Sequence, residues 1–236
     1  DPTIILVLIG VALSLWAQGR VNSTFSRYSR VRSMTGMTGA EAARRLLNAQ
    51  GIYDVTVQQI AGELTDHYDP RTKTVNLSQS VYGATSVAAI GVAAHECGHA
   101  MQDNEGYAPL RFRSALVPVA NFGSSLSWPL ILLGLVFGGL GSPLVEIGIL
   151  MFSLAVLFQL VTLPVEYNAS ARAVRLLDAQ GILAGEEVNG TRKVLNAAAL
   201  TYVAALLMSD LQLLRYVLIF VGRNNRTAGH VMPVFC

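Results

Sequence analysis

Charge is what this 236-residue chain has least of. Asp, Glu, Lys and Arg make up 14% of its residues and hydrophobic residues 52%, where a soluble domain usually carries about 25% charge. The deficit is local: between Phe112 and Asn168 the only charged residues are Arg113, Glu146 and Glu166. That is too few to cover a water-exposed surface. Net charge is only +2. No run of Lys and Arg interleaves with aromatics and no Gly-rich phosphate loop is present, so nothing argues for a nucleic-acid partner. Two cysteines, Cys97 and Cys236, give no disulfide framework. Cys97 reads as a small buried apolar residue, and Cys236 ends a polar tail. No internal repeat is present.

What is abundant is apolar runs. Residues 3–19 carry no charge, and their length of about 17 residues is at the short end for a membrane span. No basic stretch precedes them and no small-x-small cleavage site follows, so they read as an uncleaved anchor rather than a signal peptide. The arginines that follow, Arg20, Arg27, Arg30 and Arg32, place that end in the cytoplasm and the N-terminus outside. Residues 115–140 and 144–163 read as two spans joined at Gly141-Ser142-Pro143. Arg111 and Arg113 border this hairpin on the cytoplasmic side, and it returns there at Pro164. Residues 196–221 are apolar except for Asp210 and Arg215. They fit a fourth span or two helices breaking near Ser209-Asp210, and Arg223 and Arg226 beyond them oppose a single crossing. The expected organisation is an anchor at 1–20, a cytoplasmic catalytic part at 21–112 and a membrane hairpin at 113–164. A third-ligand helix with a C-terminal helical or membrane region follows at 165–222, and a tail at 223–236.

The soluble-looking part has clear local signals. Thr38 and Glu41 form a capping box that opens a helix with Ala42, Ala43, Leu46 and Leu47 on one face, and Gly51 ends it. Residues 55–60 and 73–77 alternate like strands on either side of a polar turn at 68–72, which predicts a small antiparallel ribbon. A helix is expected over residues 81–103, capped by Ser78 or Ser80. It is uncharged from 81 to 94 and therefore buried. Residues 165–179 read as an amphipathic helix, with Ala169, Ala173, Leu176 and Leu177 on one side. Glu186-Glu187 opens another helix.

Three polar side chains drop into the buried helix: His95, Glu96 and His99, in the run His95-Glu96-Cys97-Gly98-His99. Histidines four apart project from one helical face, a spacing that lets both imidazoles reach one tetrahedral Zn2+. Glu96 points off that pair yet stays near the open position of the metal. There it can act as general base toward a zinc-activated water and later protonate the leaving amine. Two histidines do not complete a protein zinc site, so another residue must join them. The candidates are His67, Asp103, Glu105, Glu146, Glu166, Asp178, Glu186, Glu187 and His230. Asp103 and Glu105 follow His99 too closely to fold back, Glu146 falls on the far side of the membrane, and His230 lies in the tail. Glu166 leaves the membrane on the same side as His95, and begins a helix able to pack beside the first.

The segments AAHECGHAMQ and LPVEYNASARA, with the two-span hairpin between them, resemble the YugP-like family of bacterial membrane zinc metallopeptidases. LTDHYDPRTKTVNLS upstream and VLNAAALTYVAALL downstream carry the same resemblance, which covers the chain up to about Arg223. It implies His95 and His99 as zinc ligands, Glu96 as catalytic base and Glu166 as third ligand. The implied fold is mainly α, an integral membrane helical metallopeptidase with a zincin-like H-E-x-x-H helix and a small antiparallel β ribbon. The implied location is the bacterial inner membrane, multi-pass, with the active site facing the cytoplasm.

A more distant likeness runs to membrane peptidases of the HtpX and CAAX-protease type, whose later glutamate begins E-x-x-x-D. Here Ser170 holds the position of that aspartate, so the carboxylate that would orient a ligating histidine is missing there; Asn168 or Asp178 are the substitutes. Such peptidases bind peptide as an added strand, and residues 73–77 are the expected edge. Tyr167, Arg172, Tyr202 and His67 are candidates for stabilising an oxyanion. The expected activity is zinc-dependent hydrolysis of peptide bonds in a peptide or membrane-protein substrate, with membrane lipid as surroundings. The alternatives are a non-catalytic zinc-binding assembly factor and a zinc hydrolase of a non-peptide amide.

Overall fold

Long uninterrupted apolar stretches, with few residues that stop a helix, yield long helices. The computed structural model describes residues 2–139 and 142–228, with side chains to residue 220. In chain order it contains α1 (Ile4–Ser29), α2 (Gly39–Ala49), β1 (Thr56–Ile60), β2 (His67–Asp69), β3 (Thr74–Ser78), α3 (Gln79–Tyr82), α4 (Val87–Asn104), α5 (Ala108–Phe137), α6 (Pro143–Ala179) and α7 (Glu186–Ala228). Four of these, α1, α5, α6 and α7, are long and apolar enough to cross a membrane, which marks a membrane protein. The chain is mainly helical.

Contacts divide the chain into two units. One comprises Asp1–Leu15, Arg113–Val161 and Val203–Cys236; the other comprises Trp16–Phe112 and Thr162–Tyr202. In the first unit, small residues let apolar helices approach closely, as lipid-embedded helices require. A Cβ on Gly123 of α5 would lie 2.7 Å from the Met151 carbonyl oxygen of α6, and one on Gly148 would lie 3.0 Å from that of Ser127. Phe152 of α6 meets Tyr216 of α7 edge to face, with ring centroids 5.5 Å apart.

The second unit has its own core. Thr38 caps α2: its hydroxyl accepts from the Glu41 amide while the Glu41 carboxylate accepts from the Thr38 amide, the capping box expected from sequence. Ala42, Ala43, Leu46 and Leu47 are all buried against the cluster that also holds Val75, Leu77, Ile90 and Ala94. Cys97 is fully buried, its thiol 3.6 Å from the Ala43 carbonyl oxygen, and burial pushes its pKa well up. It is the apolar packing residue that the sequence suggested.

Four expectations need correction. The sheet is mixed rather than an antiparallel ribbon, with order β1-β3-β2. β1 runs parallel to β3 in the register Thr56 to Thr74, and the antiparallel partner of β3 is the short β2. Residues 73–77 are therefore not a sheet edge, because β3 is paired on both sides and buried throughout. The helix expected over 81–103 is two helices: the chain leaves helical geometry after Tyr82, and the Ser86 hydroxyl, rather than Ser78 or Ser80, caps α4 by accepting from the Ala89 amide. Finally, α6 does not stop at Pro164. It runs unbroken from the apolar span through Glu166 to Ala179, since a proline deep in a long helix removes one backbone bond and need not end it.

Of the two readings for residues 196–221, the single helix holds: α7 passes through Ser209 and Asp210 without a break. It continues to residue 228, beyond the start of the expected tail. Gly141, His230 and Cys236 lie outside the described residues.

Candidate metal centre

Helix α4 presents His95 and His99 one turn apart, their rings edge to face with centroids 4.8 Å apart and an interplanar angle of 84°. Between them, Gly98 permits a close crossing by α6. A Cβ there would lie 2.6 Å from the Ala169 carbonyl oxygen and 3.1 Å from the Ala169 Cα. Glu166 sits one turn before Ala169 and is carried by that approach against both imidazoles. Its Oε2 lies 3.2 Å from His95 Nε2 and 3.4 Å from His99 Nε2. The potential ligand atoms of the three residues all lie within 4.8 Å of one another, and among the described residues no other His, Cys, Asp and Glu group is so arranged.

The far sides of both rings are held. His99 Nδ1 is 3.0 Å from Gln102 Oε1, and Gln102 Nε2 donates to the Val165 carbonyl and to Asn168 Oδ1, each at 2.9 Å. A carbonyl only accepts, so the Gln102 amide has one orientation and presents its oxygen to the ring. His99 Nδ1 must then carry the hydrogen, which leaves the Nε2 lone pair of the neutral ring facing Glu166. Lone pair against carboxylate is repulsive unless a proton or a metal cation lies between. Two imidazole nitrogens and a carboxylate oxygen are also the donors zinc prefers. The residues fit the metal. The same geometry raises the pKa of His99: burial alone would lower it, but the hydrogen bond and charge of Glu166 prevail, with Glu96 and Gln102 adding to them.

The network continues outward. Asn168 Oδ1 also accepts from Arg172 Nε at 2.7 Å, and Arg172 Nη1 pairs with Glu105 at 2.7 Å. On the other ring, the Ser170 hydroxyl lies 3.1 Å from His95 Nδ1. The expectation that support fails at Ser170 is thus corrected: a hydroxyl stands where a carboxylate was missing, and Asn168 acts on His99 through Gln102. Sequence reasoning missed Gln102. Its signal was available, since it lies three residues after His99 and so on the same helical face.

The other candidate ligands are engaged elsewhere. Asp103 accepts from Tyr68 and Lys73, Glu105 pairs with Arg172, Glu187 accepts from the Met34 amide, and Glu186 from Asn189. His67 lies between the Thr65 carbonyl and Asn76. Asp178 is exposed on the far end of α6, and Glu146 belongs to the first unit.

Glu96 is buried and makes no hydrogen bond among the described residues. It opens into a cavity of about 250 Å3 that His95 and Glu166 also line. The cavity walls include Gln18, Val21 and Phe25 of α1 and Leu195, Ala198 and Tyr202 of α7. Of the oxyanion candidates, Tyr202 reaches this cavity, while Tyr167, Arg172 and His67 do not line it.

A membrane protein with a His, His, Glu cluster beside a further buried carboxylate carries the donor set of a zinc site, and sequence comparison gives a family whose description names that metal. The family described as "Putative neutral zinc metallopeptidase" matches residues 3–221, and the chain belongs to it. The "Putative membrane protease YugP" of Bacillus subtilis (strain 168) is 50% identical over 223 residues, which covers 94% of this chain and 98% of that protein. No solved structure matches.

Proposed function

We propose that the chain is a membrane-embedded zinc endopeptidase with its active site at the cytoplasmic face of the bacterial inner membrane. The observation that carries this is the convergence of His95, His99 and Glu166 with Glu96 opening into the same cavity. His95 Nε2, His99 Nε2 and a Glu166 oxygen would hold the ion. Bound zinc supplies Lewis acidity, which brings the pKa of water at its open position to about 7 and polarises a carbonyl.

Glu96 receives the proton as the water oxygen bonds to the scissile carbonyl carbon. It then returns that proton to the amine nitrogen as the C–N bond breaks. Tyr202, a residue of the cavity wall, is the one we assign to donate to the developing oxyanion. Gln102 and Ser170 keep the imidazoles oriented. Four alternating crossings by α1, α5, α6 and α7 would bring residues 20–112 and 164–196 to one side, and the arginines after residue 19 assign that side to the cytoplasm. Because two candidate spans, α1 and α7, wall the cavity, a peptide segment emerging from the bilayer is the favoured substrate.

The test is Glu96→Gln in the purified full chain. Zinc content should remain at the wild-type level while cleavage of a casein or membrane-protein substrate is lost. Cleavage surviving in that variant contradicts the mechanism. Wild-type protein that binds zinc but cleaves neither peptides nor membrane proteins points to the non-catalytic or non-peptide alternative.

A further inference from the structure

A second cavity in the site-bearing unit, about 620 Å3, is lined by three cations: Arg20 and Arg27 of α1 and Lys193 of α7. No carboxylate lines it among the described residues, and none of the three cations has an ion pair there. Other cations of the unit, Arg30 and Arg32 among them, also lack an ion pair among the described residues; what sets these three apart is that they line one concavity. Three like charges round one concavity repel one another, and a bound anion relieves that repulsion. The remaining lining suits a phosphate ester, since the Thr24 hydroxyl and the Asn196 amide supply neutral donors and Leu200 an apolar wall. The volume is that of a small-molecule site.

The chain position of these residues identifies the anion's source. Arg20 directly follows the uncharged run of α1, and Lys193 precedes the apolar stretch that begins at Asn196. Both helices are candidate spans, so the cations stand where a span meets the headgroup layer. Basic pockets between spans at the cytoplasmic surface are the setting in which anionic headgroups bind.

We propose that Arg20, Arg27 and Lys193 form a binding site for the phosphodiester headgroup of an anionic phospholipid. The lipid would tie α1 to α7, the two helices that also wall the catalytic cavity. The site stands independently of the proteolytic reading, because it is read by lipid binding and not by cleavage.

The full chain is reconstituted in nanodiscs of phosphatidylcholine, alone or mixed with phosphatidylglycerol, and bound lipid is counted by native mass spectrometry after release. Wild type should retain phosphatidylglycerol in preference to phosphatidylcholine. The combined Arg20→Gln, Arg27→Gln and Lys193→Gln variant should bind it about 100-fold more weakly, at roughly five-fold per cation. Arg71→Gln, a cation outside the cavity, should bind as wild type does. Zinc content and melting temperature report folding. If the combined variant does not fold, Lys193→Gln alone, expected to weaken binding about five-fold, decides in the same way. Undiminished retention in the variant overturns the site. Glycerol 3-phosphate competing as strongly as the lipid overturns the lipid assignment in favour of a soluble phosphate ester.

Discussion

Replacing Gly98 by alanine tests whether helix packing sets the metal geometry, because local and tertiary effects pull in opposite directions. Helix propensity alone favours alanine by about 1 kcal/mol. The new Cβ, however, would stand 2.6 Å from the Ala169 carbonyl oxygen, which is backbone and has no rotamer to yield. An ordinary C···O contact is about 3.3–3.6 Å, so α4 and α6 must part by about 0.7–1.0 Å. Glu166 lies one turn from Ala169 and moves with it, whereas zinc–ligand distances tolerate only about 0.2 Å. Overpacking of this kind costs about 1–3 kcal/mol, so the balance against propensity is a loss of up to about 2 kcal/mol. Zinc affinity should fall by about 100-fold, as for other disturbances of ligand orientation. Chelator competition measures the affinity and thermal unfolding the stability. Gly19→Ala is the control, since a Cβ on Gly19 meets nothing within 4 Å and that variant should gain stability. Gly98→Ala with wild-type zinc affinity and a raised melting temperature would refute the reasoning.

Other outcomes follow from the same geometry. Gln102→Leu removes the acceptor at His99 Nδ1 and should weaken zinc binding about 10- to 100-fold, measured by the same competition; Ser170→Ala should do likewise through His95. Because the metal-free His99 has a raised pKa, protons compete with zinc at a higher pH than for an ordinary histidine. Apparent zinc affinity should therefore already decline as pH falls through neutrality, and should level off in mildly alkaline buffer; a profile flat down to pH 6 contradicts this. Thr38→Ala deletes the α2 cap and should cost about 1 kcal/mol of stability, seen as a lower denaturation midpoint with zinc content unchanged. Tyr202→Phe should lower kcat more than it changes KM, because the hydroxyl is assigned to the transition state.

The fold was readable wherever the signal was local. Uncharged runs marked the candidate spans, Thr38 and Glu41 marked the start of α2, and the pair of histidines marked the face of α4 that meets Glu166. Pairing between distant segments was less readable. β2 is three residues long and β3 pairs on both sides, and the alternation in 73–77 says nothing about which neighbours it will have. The break before α4 depends on Ser86 capping an amide three residues on, in competition with equally plausible caps at Ser78 and Ser80. The orientation of both rings was hidden for the same reason. Ser170 and His95 are 75 residues apart, and Gln102 meets the Val165 carbonyl only because Gly98 lets α6 approach. Glu166 could be singled out because the order of the spans returned it to the side of His95, an argument about topology rather than packing.

The central claim is that His95, His99 and Glu166 together bind zinc. Anomalous X-ray scattering at the zinc edge from the zinc-loaded Glu96→Gln variant tests it most directly. The account predicts one strong peak about 2.0–2.2 Å from the Nε2 atoms of His95 and His99 and from a Glu166 carboxylate oxygen. A peak coordinated by His67, or one that leaves Glu166 unligated, would contradict it.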